Sequence, residues 1–133
     1  MRPICAAISA SALQHNLNVV KQHAKTAKVM AVVKANGYGH GLINVVYALA
    51  EADGFATVNI ASAIDMREAG VDQDILLLEG VFDEEELRIA ASFDMTVTVH
   101  NESQISMLEN THLARPINVY LKMNTGMNRL GFK

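Results

Sequence analysis

The 133-residue sequence contains one cysteine, no tryptophan and only two prolines. Because Cys5 stands alone, the chain can form neither an internal disulfide nor a cysteine-based zinc site, and a reducing compartment is allowed. No stretch approaches the roughly 18–20 consecutive apolar residues that a membrane-crossing helix needs. These scarcities exclude the disulfide-stapled class and argue against a membrane partner, so we expect a cytoplasmic protein.

Charged residues are few as well, and positive charge is not in excess. They make up 19% of the sequence and leave a net charge of −3, with the lysines and arginines scattered along it. A chain without a basic face matches a nucleic-acid backbone poorly. The histidines form no ligand-spaced cluster, so we expect no metal site. Since half of the residues are hydrophobic, the composition predicts a globular protein with a small-molecule partner.

Five apolar segments alternate with amphipathic ones from residue 28 onward. The apolar segments are KVMAVV, GFATVN, DILLLEG, MTVTVH and INVYLKM, beginning at residues 28, 54, 74, 95 and 117. Near-continuous apolar runs are typical of strands buried on both faces of a parallel sheet, and the alternation indicates serial βα units. By itself this pattern fits either an open doubly wound sheet or the first part of a closed barrel. A (β/α)₈ barrel needs eight strands and usually more than about 200 residues.

The amphipathic segments carry helix start and stop signals. Asp83 is followed three residues later by Glu86, and Asn101 by Gln104, which predicts two helix N-caps whose third residue reaches back. Gly70 predicts the end of the helix that precedes it.

The densest motif is VMAVVKANGYGHG at residues 29–41. Lys34 ends the first predicted strand, and functional groups in parallel α/β folds gather at the C-terminal ends of strands. Flanked by apolar residues, Lys34 should be partly desolvated, which favours the neutral amine that Schiff-base chemistry with an aldehyde needs. The alternative is a lysine whose stem packs while its ammonium reaches water.

The glycines after Lys34 match neither the dinucleotide fingerprint nor a Walker A loop. Gly37, Gly39 and Gly41 would let backbone approach a ligand closely. Tyr38 could direct its hydroxyl at a phosphate, or it could pack against the following helix. His40 is expected to be a hydrogen-bonded loop histidine.

A second unusual motif, VYLKMNTGMNRLGFK, ends the fifth predicted strand. Lys122 lies among apolar neighbours, where an unpaired ammonium would be costly, so it needs an anionic partner, loss of its proton or conversion to a carbamate. Arg129 offers a planar fork for a carboxylate, a carbamate or a ring oxygen, or it is a surface arginine.

Together, AVVKANGYGHG and LKMNTGMNRLG, with ILLLEG between them, resemble the N-terminal signatures of the alanine racemases. The resemblance covers nearly the whole chain. It implies that residues 1–133 form the N-terminal part of a (β/α)₈ barrel, about five βα units, with the barrel incomplete and the family's C-terminal β domain absent from these residues. Asn124 departs from the pattern, because an aspartate would be equally expected there.

The resemblance also implies the cofactor and its ligands. Lys34 would hold pyridoxal 5′-phosphate as a Schiff base and act as the base on the D-alanine side. Tyr38 would contact the cofactor phosphate, and Arg129 would lie near the cofactor ring oxygen and the substrate, alanine. Lys122 matches a lysine that is often carbamylated and orients this arginine. The product, D-alanine, would be supplied for peptidoglycan.

In that family a second base, a tyrosine of the C-terminal domain, reaches in from the other subunit of a homodimer. None of Tyr38, Tyr47 or Tyr120 matches it. We therefore expect the 133-residue chain alone to have little or no racemase activity, and to associate with a complementary C-terminal piece or to belong to a longer, dimeric protein. The alternatives are a non-catalytic cofactor-binding or split-gene fragment, and a related barrel enzyme that uses the same cofactor, such as an amino-acid decarboxylase.

Overall fold

The structure, a computed structural model, describes residues 3–133, so only the first two residues of the predicted 1–133 unit lie outside it. The helices are α1 Ala10–Ala24, α2 Lys34–Tyr38, α3 Leu42–Ala48, α4 Ile60–Glu68, α5 Glu84–Ser92 and α6 Glu102–Asn110. The strands are β1 Met30–Val32, β2 Gly54–Thr57, β3 Asp74–Leu77, β4 Thr96–Val99 and β5 Asn118–Leu121. Within residues 3–133, no helix has the length and apolar character needed to cross a bilayer.

The strands form one five-stranded, all-parallel sheet in the order β1-β2-β3-β4-β5. Every predicted strand is present, although each is shorter than its apolar segment. In a doubly wound sheet the strand order reverses at a switch point, whereas here each strand pairs with the next along the chain. Consecutive parallel pairing is the arrangement of a (β/α)₈ barrel, and the fold is the N-terminal part of one.

The core lies between the sheet and the helices that cover it. Its largest fully buried side chains include Phe55 on β2, Ile75 and Leu77 on β3, Met66 on α4 and Leu87 on α5. Burial of a side chain of this size stabilises the fold by about 1.5–3 kcal/mol. The βα pattern in the sequence therefore produces a layered core. This core holds the strands in place, including their C-terminal ends.

The two predicted N-caps are confirmed. Asp83 Oδ1 accepts from the Glu86 N–H at 2.8 Å, while Glu86 Oε2 accepts from the Phe82 N–H at 2.9 Å. Asn101 Oδ1 likewise accepts from the Gln104 N–H at 3.0 Å. In each helix the side chain of the third residue accepts from the N–H of the residue before the N-cap, which is Phe82 for α5 and His100 for α6. These caps fix the residues at which α5 and α6 begin. Gly70, with φ of 85° just beyond α4, confirms the predicted helix stop.

Arg67 ties the loops at the opposite, N-terminal edge of the sheet together, a role that the sequence did not indicate. Its guanidinium donates to four backbone carbonyls, of Val71, Gln73, Phe93 and Asp94, at 2.6–2.9 Å. Burial lowers the pKa of Arg67 below its ordinary value, while the charge of Asp94 opposes that shift. One side chain thus joins the loop before β3 to the loop before β4.

The outer strand β5 is exposed along its whole length. All four of its residues are exposed, and Val119 and Leu121 have 51% and 63% of their surface accessible. At the other edge, Val32 on β1 is 41% exposed. Both outer strands of the described sheet therefore carry exposed apolar residues.

Candidate active site

Lys34 lies at the C-terminal end of β1, as predicted, and is half-buried. The residue before it, Val33, packs in the core and donates its N–H to the Ala56 carbonyl of β2 at 2.8 Å. Among residues 3–133, no partner lies within hydrogen-bonding or salt-bridge distance of the Lys34 ammonium. The strand therefore anchors this lysine while its amine is available for another molecule.

The segment after Lys34, which comprises the rest of α2 and Gly39, has an unusual backbone in place of the expected loop. Ala35, Asn36, Gly37 and Tyr38 have φ values of 52°, 56°, 61° and 54°, and Gly39 continues with 82°. These residues form a left-handed helical turn. For residues other than glycine, left-handed helix costs about 1–2 kcal/mol each. Backbone strain of this kind persists only where surrounding contacts hold it, and it concentrates at functional sites.

Two polar side chains supply part of the contacts that hold the left-handed turn. Asn36 Oδ1 accepts from the Leu42 N–H at 2.8 Å, and the Asn36 carbonyl accepts from Gly39 and Gly41 at 3.1 and 3.0 Å. His40 Nδ1 lies 3.0 Å from the carbonyls of both Gly37 and Tyr38. The expected role of His40 as a hydrogen-bonded loop histidine is confirmed. The bracing role of Asn36 was missed, although asparagine tolerates left-handed backbone better than most residues.

The glycines of the turn do different things. Gly37 is buried, and a Cβ added to it would lie 3.0 Å from Val45 Cγ2, so it lets the turn pack on α3. A Cβ on Gly39 would meet nothing within 4 Å. Open space beside Gly39 is consistent with the expected room for a ligand, whereas Gly37 serves close packing inside the protein.

Tyr38 lies in the turn and is 58% exposed. Its hydroxyl makes no hydrogen bond within residues 3–133. Tyr47 differs, because its hydroxyl donates to the Ala69 carbonyl at 3.0 Å. Tyr38 is thus free to bind a ligand oxygen beside Lys34.

The second motif follows β5 at the same, C-terminal edge of the sheet. The Lys122 N–H donates to the Val99 carbonyl of β4 at 2.9 Å, and the Lys122 carbonyl accepts from Phe132 at 2.9 Å. The expected apolar enclosure of Lys122 is wrong for this structure, since the neighbouring Leu121 and Met123 are 63% and 51% exposed. Lys122 itself is only half-buried. It follows β5, which is an outer strand with no further strand paired to it within residues 3–133.

Between Lys122 and Phe132 the chain forms a closed loop that two asparagines brace. Asn124 Oδ1 accepts from the N–H groups of Gly126 and Asn128, each at 3.1 Å, and Asn124 Nδ2 donates to Asn128 Oδ1 at 2.9 Å. The amide at position 124 both accepts and donates. An aspartate could accept the two backbone bonds but could not donate to Asn128.

Arg129 is carried by this loop and is exposed. The arginines at positions 67, 88 and 115 all bond to carbonyl or carboxylate oxygens. Across residues 3–133, Arg129 alone among the described arginines has neither a hydrogen bond nor a salt bridge. Its planar fork is therefore available for an anionic or oxygen-rich ligand.

The two motifs lie at the same end of the sheet but on its opposite outer strands. With neighbouring strands about 4.8 Å apart, the C-terminal ends of β1 and β5 are separated by about 19 Å along the sheet. Within the described residues, Lys34 and Tyr38 lie in the segment after β1, and Lys122 and Arg129 lie in the segment after β5. The two segments do not meet. In an eight-stranded barrel the first and fifth strands lie opposite each other, so the two groups would face each other across the barrel mouth.

Comparison with known proteins agrees with this geometry. Residues 8–133 match the family described as "Alanine racemase, N-terminal domain". The alanine racemase of Nitrosomonas eutropha is 49% identical over 132 residues, which are 99% of this chain and 37% of that protein. Among solved structures, the biosynthetic alanine racemase of Pseudomonas aeruginosa is 40% identical with a TM-score of 0.95, over 100% of this chain and 37% of that one.

A histidine racemase from Leuconostoc mesenteroides subsp. sake is also similar, at 33% identity and a TM-score of 0.79, covering 95% of this chain and 35% of that one. The chain thus spans little more than a third of the length of these relatives. The family match covers nearly all of the chain's residues, and the strand order is that of a (β/α)₈ barrel. The chain therefore belongs to the alanine racemase N-terminal domain family.

Proposed function

We propose that this chain belongs to a pyridoxal 5′-phosphate-dependent racemase of small amino acids, with alanine as its substrate. It supplies the lysine that acts on one face of the substrate. One observation carries the proposal. The side chains assigned to cofactor and substrate, those of Lys34, Tyr38 and Arg129, have no polar partner within residues 3–133, and all follow the C-terminal ends of strands at the same edge of the sheet. Surface side chains without partners are common, but a parallel sheet places its ligand sites at this edge.

The chemistry of these groups fits the cofactor. A half-buried primary amine at Lys34 suits an aldehyde, and the exposed Tyr38 hydroxyl suits a phosphate oxygen. Open space at Gly39 leaves room for a ligand beside both. Arg129 is the group we assign to the cofactor ring oxygen and the substrate carboxylate. Lys122, which begins the same loop, would orient Arg129 after conversion to a carbamate.

When bound, pyridoxal phosphate withdraws electrons from the α-carbon of an amino acid joined to it, which eases loss of the α-proton. The Lys34 amine is the base that we assign to one face of that carbon. It lies at the end of a strand anchored in the sheet, so it can return a proton to the position from which it took one. Inversion needs a second acid–base group on the opposite face.

The described residues contain no obvious second base. Tyr47 donates its hydroxyl to the Ala69 carbonyl just beyond α4, and Tyr120 belongs to the exposed strand β5. We propose that the second base comes from another polypeptide segment, either in a homodimer of a longer protein or in a complementary piece that covers β5. The 133-residue chain alone should then show little or no racemisation. Cytoplasmic supply of D-alanine for peptidoglycan is the role proposed for the complete protein.

Two alternatives differ in chemistry. A related decarboxylase would use the same cofactor, but the relatives named above are racemases, which favours racemisation. A racemase of larger amino acids is supported by the likeness to the histidine racemase. Similarity over these residues therefore does not separate alanine from histidine, and the substrate preference would depend on groups outside them.

The test is covalent trapping of the cofactor. The purified chain is mixed with pyridoxal phosphate, reduced with borohydride and mapped by peptide mass spectrometry. We expect the adduct at Lys34 in the wild type and in Lys28→Ala, whose substitution lies at the other end of β1. Lys34→Ala should lose that adduct. A wild-type adduct spread evenly over surface lysines, or an equal total adduct in Lys34→Ala, would overturn the proposal.

A further inference from the structure

We propose that Asn36 is a positioning residue, which holds the left-handed turn after Lys34 and thereby aims the Lys34 amine at its ligand. The inference rests on the proposed function, because it assigns Asn36 to the cofactor-binding role of Lys34. Asn36 itself is not placed in contact with the cofactor.

Asn36 accepts hydrogen bonds through both its side chain and its backbone carbonyl. Its side-chain oxygen accepts from Leu42, and its carbonyl accepts from Gly39 and Gly41, so it binds three backbone N–H groups. The Leu42 N–H belongs to the first turn of α3, where it has no partner within the helix. Asn36 therefore joins the strained segment to a packed helix through both its backbone and its side chain.

The position of Lys34 follows from the anchors on either side of it. On one side, the Val33 N–H donates to Ala56 at 2.8 Å and fixes the chain to β2. On the other, the left-handed backbone begins at Ala35, and the Gly37 N–H donates back to the Val33 carbonyl at 2.9 Å. If the turn relaxed to ordinary backbone, the peptide after Lys34 would rotate and the lysine would leave along a different direction.

Alanine at position 36 should release this restraint in two ways. It removes the acceptor for Leu42, and it tolerates a φ of 56° less well than asparagine does. Aspartate keeps both the acceptor oxygen and the tolerance for left-handed backbone. Glycine keeps only the freedom of φ. The three substitutions therefore separate the side-chain bond from the backbone requirement.

The experiment measures where limiting pyridoxal phosphate reacts, as the ratio of borohydride-trapped adduct at Lys34 to that at Lys28. Lys28 is exposed just before β1, so the ratio reports the geometry at Lys34 independently of total protein and reagent. Asn44→Asp controls for the charge that Asn36→Asp adds, because Asn44 is exposed on the neighbouring helix α3. Circular dichroism and urea unfolding identify conditions under which each variant is folded.

We expect Asn36→Ala to lower the ratio at least fivefold under conditions where it is fully folded. Asn36→Asp should restore the ratio to within about twofold of the wild type, and the control Asn44→Asp should stay within the same range. Because the ratio is measured on folded protein, a loss of stability alone would not lower it. If Asn36→Ala does not fold, Asn36→Gly takes its place and should lower the ratio by more than the twofold allowed for Asn36→Asp, although less than alanine does, because glycine loses only the side-chain bond.

An unchanged ratio in the folded alanine or glycine variant would overturn the positioning role while leaving the proposed function in place. Failure of Asn36→Asp to rescue, with Asn44→Asp normal, would also overturn it. A wild-type ratio near one would instead overturn the proposed function, and this inference with it.

Discussion

A methyl group on Gly37 would lie 3.0 Å from Cγ2 of Val45, closer than side chains normally pack. This contact sets how near the left-handed turn can come to α3. Two glycines of the turn share a positive φ, of 61° at Gly37 and 82° at Gly39, yet only Gly37 is also enclosed.

Gly37→Ala should therefore destabilise the chain more than Gly39→Ala. At Gly39 the added methyl group meets open space, so the loss should be the backbone cost alone, about 1 kcal/mol. At Gly37 the clash with Val45 adds to it, for a total of about 2–4 kcal/mol. The free energies of unfolding in urea compare the two directly. Equal losses would mean that the turn shifts away from α3 without cost.

Arg67→Lys should lower the free energy of unfolding by about 2–3 kcal/mol, because one ammonium cannot reach four carbonyls arranged around a planar fork. Arg88→Lys is the matched control. Arg88 forms an exposed ion pair with Glu84, so its replacement should change stability by less than about 0.5 kcal/mol. Urea unfolding at neutral pH measures both, and similar losses for the two variants would contradict the clamp role of Arg67.

The lowered pKa of Arg67 has a defined sign in the pH dependence of stability. A base whose folded-state pKa is depressed binds its proton less tightly when folded, so stability rises as pH increases through that pKa. Arginine ordinarily loses its proton only in strongly alkaline solution, so this change lies far above neutral pH. Arg67 should therefore add no pH dependence to unfolding near neutrality, and the loss in Arg67→Lys should be the same at pH 6 and pH 8.

Gln104 joins the ends of β3 and β4, since Nε2 donates to the Glu79 carbonyl and Oε1 accepts from the His100 N–H, both at 2.9 Å. Gln104→Met keeps the buried volume but leaves the His100 N–H unpaired, while the Glu79 carbonyl keeps its contact with His100 Nε2 at 3.0 Å, so the substitution should cost about 1–3 kcal/mol. Glu109→Gln, on the exposed face of the same helix, should be nearly neutral. Thermal unfolding compares the two, and an unaltered Tm in Gln104→Met would show that other groups take over its bonds.

Tyr38→Phe should weaken binding of pyridoxal phosphate about threefold to tenfold while leaving the affinity for pyridoxal, which has no phosphate, almost unchanged. One hydrogen bond from a hydroxyl is worth about 0.5–1.5 kcal/mol, and only the phosphorylated ligand would form it. Titration by absorbance with both ligands measures the difference. Equal weakening for both ligands would place Tyr38 away from the phosphate.

The exposed strand β5 should make the isolated chain self-associate, because unpaired strand edges template further pairing. Leu121→Lys places a charge on that edge and should increase the monomer fraction in sedimentation velocity. Val20→Lys is the control, since Val20 is a similarly exposed aliphatic residue on α1. If both variants changed the monomer fraction equally, net charge rather than the strand edge would control association.

Much of the fold is determined by the sequence locally. Apolar runs of strand length specify β1 to β5, and Asp83 and Asn101 specify where α5 and α6 begin. Lys34 could be placed at the end of β1 from the sequence because strand ends follow from short-range patterning.

What the sequence pattern left open, the tertiary structure decided. The pattern allowed a doubly wound sheet as well as a barrel. Each strand pairs with the next, which is the barrel order. The local pattern could not show this, because strand pairing joins residues far apart in the chain. Five consecutive left-handed residues after Lys34 oppose local preference and persist through the hydrogen bonds of the Asn36 and His40 side chains and through packing on α3. Lys122 is only half-buried because β5 lies at the edge of the sheet, which its apolar neighbours in sequence could not indicate.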